Sequence, residues 1–171
     1  MKKIFLLGFA TILFSACNQE VRYTQQSPEI DTYKKVMEDY KTMNWDDYPK
    51  HYSDTAKIMN NVPKEKAQTV AQALEVNIET AKIFTWVVDN EEFEMVVTDK
   101  KETWVNYWAT WKGTMKSTNK VYIIPFHSTV RFIDGKIVEE LGYWDNAEVA
   151  TDLLKNSVTP MPNDETATTE K

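Results

Sequence analysis

Phe132-Ile133-Asp134-Gly135-Lys136-Ile137-Val138-Glu139-Glu140, running on to Tyr143-Trp144-Asp145, carries the clearest structural signal in the chain. Asp-Gly is a favoured pair for a two-residue hairpin turn, because both central positions of such a turn need positive φ. Segments rich in Val, Ile, Phe, Tyr and Thr flank it, from Lys120 to Asp134 and from Lys136 to Trp144. Side chains of that kind suit a pleated, half-buried surface, so the pair reads as an antiparallel hairpin.

Upstream, Glu102 to Thr118 and Phe93 to Thr98 read as two further strands, following a change of character at Asp89-Asn90. The spacing of Trp104, Tyr107, Trp108 and Trp111 also fits a helix face, but Thr103, Val105, Tyr107, Trp108 and Thr110 are strand formers. Before Asp89 the period changes. Ile30, Tyr33, Val36, Met37, Tyr40 and Met43 recur at helical spacing with Lys34, Lys35, Glu38, Asp39 and Lys41 opposite, which predicts an amphipathic first helix. Asn44 is placed to cap a short second helix carrying Trp45, Tyr48 and Tyr52. Asp54 to Asn61 reads as a strand with Ala56, Ile58 and Asn60 on one face. Pro63 opens a third helix with Ala67, Val70, Ala71, Leu74, Ile78 and Ala81 on one side, and Ala147 to Lys155 reads as a closing helix. Helices first and strands afterwards predict an α+β domain, with helices covering one face of an antiparallel sheet.

The ends are of another kind. Lys2 and Lys3 precede an apolar run from Ile4 to Phe14, then Ser15 and Ala16 stand directly before Cys17. This is the pattern of a signal peptide, and the run is too short to span a bilayer. Cys17 is the one cysteine of the chain. Thioether lipidation there accounts for a lone thiol at a cleavage point, and more than one acyl chain gives stable anchoring. The expected division is residues 1–16 signal peptide, 17–29 lipidated cysteine and tether, 30–156 folded domain and 157–171 a disordered acidic tail. The expected location is the bacterial envelope, at the outer membrane if the host is Gram-negative. The formal charge of −6 becomes more negative once Lys2 and Lys3 are removed, which argues against nucleic acid as a partner.

Asn44-Trp45-Asp46-Asp47-Tyr48, leading into Tyr52-Ser53-Asp54-Thr55-Ala56, together with Phe132 to Glu140 and Tyr143-Trp144-Asp145, resembles the nuclear transport factor 2-like superfamily and its SnoaL-like branch. The resemblance covers roughly residues 30 to 155. It implies a cone in which a curved antiparallel sheet and three N-terminal helices enclose a deep, mostly apolar pocket. Some members there are enzymes and others hold ligands, so the fold does not select the role. Aligned without a gap, Asn60 falls where ketosteroid isomerase-like members keep a general-base aspartate, and Val36 where they keep an oxyanion-binding tyrosine. Gly142 falls where polyketide cyclase-like and epoxide hydrolase-like members carry an aspartate. None of the three supplies the expected group.

Asp145 and His127 remain as catalytic candidates. Asp145 is suited either to proton transfer or to capping the helix that follows it. His127 shares a strand face with Ile123, Pro125, Thr129 and Arg131, and is either a base or a structural residue. His51, at a helix edge, is expected to be exposed. Two distant histidines and one lipidated cysteine lack metal-ligand spacing, and four glycines without a phosphate loop call for no nucleotide, so no metal and no cofactor is expected. The density of large rings is the remaining signal. It fits either a core and dimer interface or an aromatic-lined pocket, with Trp45, Tyr48, Trp104, Trp108, Phe126 and Tyr143 as ligand-contacting candidates. The leading expectation is a lipid-anchored domain that binds a small apolar or aromatic ligand without catalysis, and that is able to pair as a homodimer. The alternatives are an isomerase, cyclase or hydrolase working through Asp145 or His127, and an interaction module of an envelope complex.

Overall fold

The computed structural model describes residues 21–157. The predicted signal peptide, Cys17 and the tail beyond residue 157 lie outside the described residues.

The first helix, α1 (Pro28–Thr42), begins at Ser27, whose hydroxyl accepts the Ile30 amide, and ends at Met43 in the left-handed region. Its apolar stripe of Ile30, Tyr33, Val36 and Met37 is buried, as its period requires. The short helix expected next is a single 3-10 turn, Tyr48–His51, and Tyr52 already belongs to strand β2 (Tyr52–Asn60). Asn44 does not cap that turn through its side chain. Its amide instead donates to the Asp39 and Asp47 carboxylates, tying the end of α1 to the loop. His51 is mostly buried rather than exposed, with Nε2 2.8 Å from Asp39 Oδ2.

Pro63 does not start the next long helix. A 3-10 piece, Lys64–Lys66, comes first, and Gln68 pairs with Ile58 before α2 (Val70–Ile83) begins. Thr69 sets that start through a reciprocal capping box with Gln72.

Four long strands follow: β3 (Phe84–Val97), β4 (Thr103–Met115), β5 (Val121–Ile133) and β6 (Lys136–Trp144). Asp89-Asn90 is no boundary, since β3 runs through it with a bulge at which Asn90 takes φ 55°. A two-residue strand, β1 (Tyr23–Thr24), lies inside the stretch expected to be tether and pairs with Met95 and Val96. The turn between β5 and β6 has Asp134 at φ 50° and Gly135 at φ 74°, which is the geometry that Asp-Gly favours.

The sheet order is β1-β3-β4-β5-β6-β2. It is mixed rather than wholly antiparallel, because β2 pairs in parallel with β6. The helices cover one face, and Ile30, Tyr33 and Val36 of α1 meet Val105 and Tyr107 of β4 and Val130 and Phe132 of β5 in one core. The closing helix, α3 (Ala147–Ser157), lays Val149 and Leu153 against a second cluster of Phe84, Met115 and Tyr122.

Candidate functional site

Among the described residues, the interior of the cone holds one buried carboxylate. Glu140 on β6 is 5 % exposed, and its place depends on a bulge. Arg131 pairs with Glu139 and Phe132 with Ile137, so Val138 is an extra residue in β6 and both Ile137 and Glu140 face inward. Glu139 turns outward and pairs with Arg131.

The Tyr52 hydroxyl donates to Glu140 Oε2 at 2.6 Å, and the Asn60 amide donates to Oε1 at 3.3 Å. The Tyr48 hydroxyl lies 3.1 Å from that of Tyr52. Because a phenol has one proton and Glu140 engages that of Tyr52, Tyr48 supplies the proton between the two rings. Tyr33 completes the enclosure from α1. Among the described residues no basic side chain pairs with Glu140, and burial raises its carboxyl above the usual carboxylate range, with Tyr52 and Asn60 pulling the other way. The phenols of Tyr33, Tyr48 and Tyr52 are all held protonated, first by burial and then by the negative charge of Glu140. A carboxyl group in such a place can hold or pass a proton.

Asn60, at the position where the resemblance implies a base, therefore orients the carboxylate of a neighbouring strand. Its Oδ1 is buried without a partner, against Gly142. A Cβ at position 142 would overlap that oxygen, so the glycine is what admits the amide.

From Tyr48 an aromatic wall leads away from Glu140. Trp45 meets both Tyr48 and Tyr40 edge to face, Tyr40 stacks on Trp86 at 5.1 Å, and Trp86 lies 6.4 Å from Trp111. These rings are partly buried and pack on the core. Burial pushes the Tyr40 phenol up to about 12.

The structure divides the predicted site residues. Trp45, Tyr48 and Phe126 face the interior, Phe126 lying edge-on to Tyr107. Trp104, Trp108 and Tyr143 do not: strand alternation puts them on the outer face, where Trp108 is 40 % and Tyr143 54 % exposed. His127 is on that outer face too, stacked on Trp108 at 4.8 Å with Nδ1 3.1 Å from the Tyr107 carbonyl oxygen. Asp145 is exposed beyond the end of β6, and its Oδ1 accepts the Ala147 amide at the start of α3. Glu140, Tyr52, Tyr40, Trp86 and Trp111 also face the interior, and composition alone does not mark them as site residues. Parity along β4, read from buried Val105 and Tyr107, would have placed Trp111 inside and Trp104 and Trp108 outside.

A second polar group lies at the surface, in an open groove of about 590 Å³ between α1 and β3. There Glu91 accepts from Lys41 and from the Tyr107 hydroxyl, both at 2.8 Å, so its charges are matched within the protein.

No family model matches the chain, and no curated relative matches it. Solved structures do. A candidate polyketide cyclase from Xanthomonas campestris pv. campestris is similar over 75 % of this chain and 98 % of its own, at 12 % identity and a TM-score of 0.62. A candidate isomerase from Bacillus subtilis is similar over 74 % and 92 %, at 14 % identity and a TM-score of 0.60. A nuclear transport factor 2-like protein of unknown function from Burkholderia pseudomallei is similar over 74 % and 97 %, at 12 % identity and a TM-score of 0.59. Identities this low speak for the fold alone. The described residues form a domain with the nuclear transport factor 2-like fold.

Proposed function

We propose that this domain binds a small apolar or aromatic molecule inside the cone, between the ring wall and Glu140, and that lipid on Cys17 holds it at a membrane surface of the bacterial envelope. The observation that carries the reading is a run of inward-facing rings, Trp45, Tyr40, Trp86 and Trp111, beginning beside a buried carboxylate that no basic side chain among the described residues neutralises. Rings supply apolar contact area and a few placed polar groups orient a ligand, which is the usual composition of a small-molecule site. Solved proteins of this shape described as candidate cyclases and isomerases are in keeping with it.

Native mass spectrometry of the domain from residue 18 onward, purified gently from its own host, tests the binding reading. A co-purifying small molecule supports it, and an empty protein that takes up no member of an apolar aromatic panel overturns it. The anchor is tested separately by Cys17→Ser in the full chain, which is expected to move the protein from the membrane fraction to the soluble one.

A second reading, proton-transfer catalysis on such a ligand, is favoured by Glu140 rather than by Asp145 or His127, which lie outside the interior. Turnover lost in Glu140→Gln with the ligand still bound would support it. Turnover unchanged in that variant would sink it.

A further inference from the structure

An anchor on Cys17 and the point at which the chain joins the sheet together decide which end of the domain lies near a membrane. Arg22 is fixed to the end of β3: its carbonyl accepts the Val97 amide at 2.9 Å, its Nε donates to the Val97 carbonyl, and its guanidinium pairs with Asp99. Only Asn18 to Val21 separate it from Cys17. Five Cα-to-Cα steps of about 3.6 Å reach roughly 18 Å at most. The sheet is longer than that, since the 13 residues of β4 rise about 40 Å at about 3.3 Å each. Register gathers several exposed groups at the Arg22 end. Tyr23 stands opposite Val96 and Thr103 opposite Phe132, so the Thr98 to Glu102 turn, Ile133 and the Asp134-Gly135 turn all lie there. Val21 is 62 %, Tyr23 56 % and Ile133 50 % exposed. Trp104 lies beside them under the Arg131 guanidinium, 6.0 Å from its ring. Aliphatic side chains, tyrosine and tryptophan among basic groups are the composition that settles at the headgroup level of a bilayer.

We propose that the Arg22 end of the sheet is a membrane-docking surface, on which Val21, Tyr23 and Ile133 enter the headgroup layer of a phospholipid bilayer with exposed Lys100 beside them. The inference rests on the reading that Cys17 carries the lipid, and it adds the surface and the orientation. Val121 and Ile123 are equally exposed at the other end of β5, but the short connection to Cys17 holds that end away from the bilayer in an upright domain. Lying on the β3 edge instead would press Glu92 and Glu94 of its outer face toward anionic headgroups, which repel them. Charge at the docking end is close to balanced. Arg22 is matched by Asp99, and Lys100, Lys101 and Lys136 stand near Glu102, Asp134 and Asp54. Apolar contact, rather than attraction to anionic lipid, therefore supplies most of the hold, and the lipid on Cys17 supplies the proximity.

Cys17 is the one cysteine of the chain, and thioether formation consumes its thiol, so a second cysteine labels a single chosen place. Ile133→Cys reports on the docking end and Ser117→Cys on the exposed turn between β4 and β5 at the opposite end. Each full-chain variant is purified from host membranes, labelled with the environment-sensitive dye nitrobenzoxadiazole and returned to vesicles of phosphatidylethanolamine and phosphatidylglycerol. On the vesicles the label at 133 is expected to shift its emission to the blue and to lose quenching by aqueous iodide, while the label at 117 keeps the values it has in water. Lys100→Cys repeats the near-end reading should Ile133→Cys fail to fold. Protein that stays on the vesicles with both labels in water, or with the label at 117 buried, overturns the docking surface and leaves the anchor standing. A Cys17 that still takes the dye in the unaltered chain, or protein that leaves the vesicles, removes both readings together.

Discussion

Replacing Tyr52 by Phe removes one oxygen and leaves the ring, so it breaks the hydroxyl's bonds to Glu140 and to Tyr48, and the part of its cost that changes with pH reads out the bond to Glu140. That bond is 2.6 Å long and buried, and its acceptor is charged once Glu140 has ionised. A hydrogen bond to a charged acceptor contributes about 2 kcal/mol, against about 1 kcal/mol for a neutral pair. The sign of the pH dependence follows from the shift. Burial raises the folded-state pKa of Glu140 above its unfolded value, so its contribution to stability is full below the unfolded value and is lost as pH rises through the folded one. Tyr52 limits that loss by bonding the ionised form, and the variant should suffer most at high pH. Urea unfolding is expected to give a cost for Tyr52→Phe of about 2 kcal/mol at pH 8, falling toward about 1 kcal/mol at pH 4. In a domain of this length the larger figure is a drop in melting temperature of roughly 7 °C. In a Glu140→Gln background the cost should be about 1 kcal/mol at both pH values, since a neutral amide oxygen replaces the carboxylate. A cost that does not change with pH, or that stays whole in the Gln background, would refute this account.

Glu140→Gln alone should flatten the stability profile, gaining on the unmodified protein as pH rises through the raised carboxyl pKa, which paired urea titrations at several pH values would follow. Gly113→Ala should cost about 1 to 3 kcal/mol and change the tryptophan fluorescence, because the methyl group takes the space of the Trp111 ring; unchanged emission and melting would count against the packing described. Thr69→Ala should cost about 1 kcal/mol by removing the cap of α2, with faster amide exchange confined to its first turn.

The sequence exposes some of these features and hides others, for physical reasons. The stripe of α1 is a period of 3.6 that any buried helix face must show, and the Asp134-Gly135 turn is chemistry confined to two residues, so both are legible. The pairing of β2 with β6 is not, because parallel neighbours distant in the chain leave no local pattern. Strand β1 is two residues long and carries no period at all. Asp89-Asn90 has turn-like composition because a bulge, like a turn, uses positive φ. Glu140 is hidden by the same kind of irregularity. Strict alternation from inward-facing Ile137 sends Glu140 to the solvent side, and the extra residue Val138 reverses that parity. Ring content alone does not show which face of a strand is inward: Trp104 and Trp108 share one face of β4, and buried Val105 and Tyr107 take the other.

The partners of Glu140 also bear on the order of folding. Tyr52 and Glu140 are 88 residues apart, and the strands that carry them meet only when the edge strand β2 closes on β6. Contacts of such long sequence separation form late, because the loop entropy of everything between them must be spent first. Until that closure Glu140 is an ordinary solvated carboxylate. The charge is withdrawn from water only in the step that delivers its tyrosine, so the hairpin of β5 and β6 can form early without an isolated buried acid. Tyr52→Phe should then act mainly on the rate of unfolding and leave the rate of folding nearly unchanged.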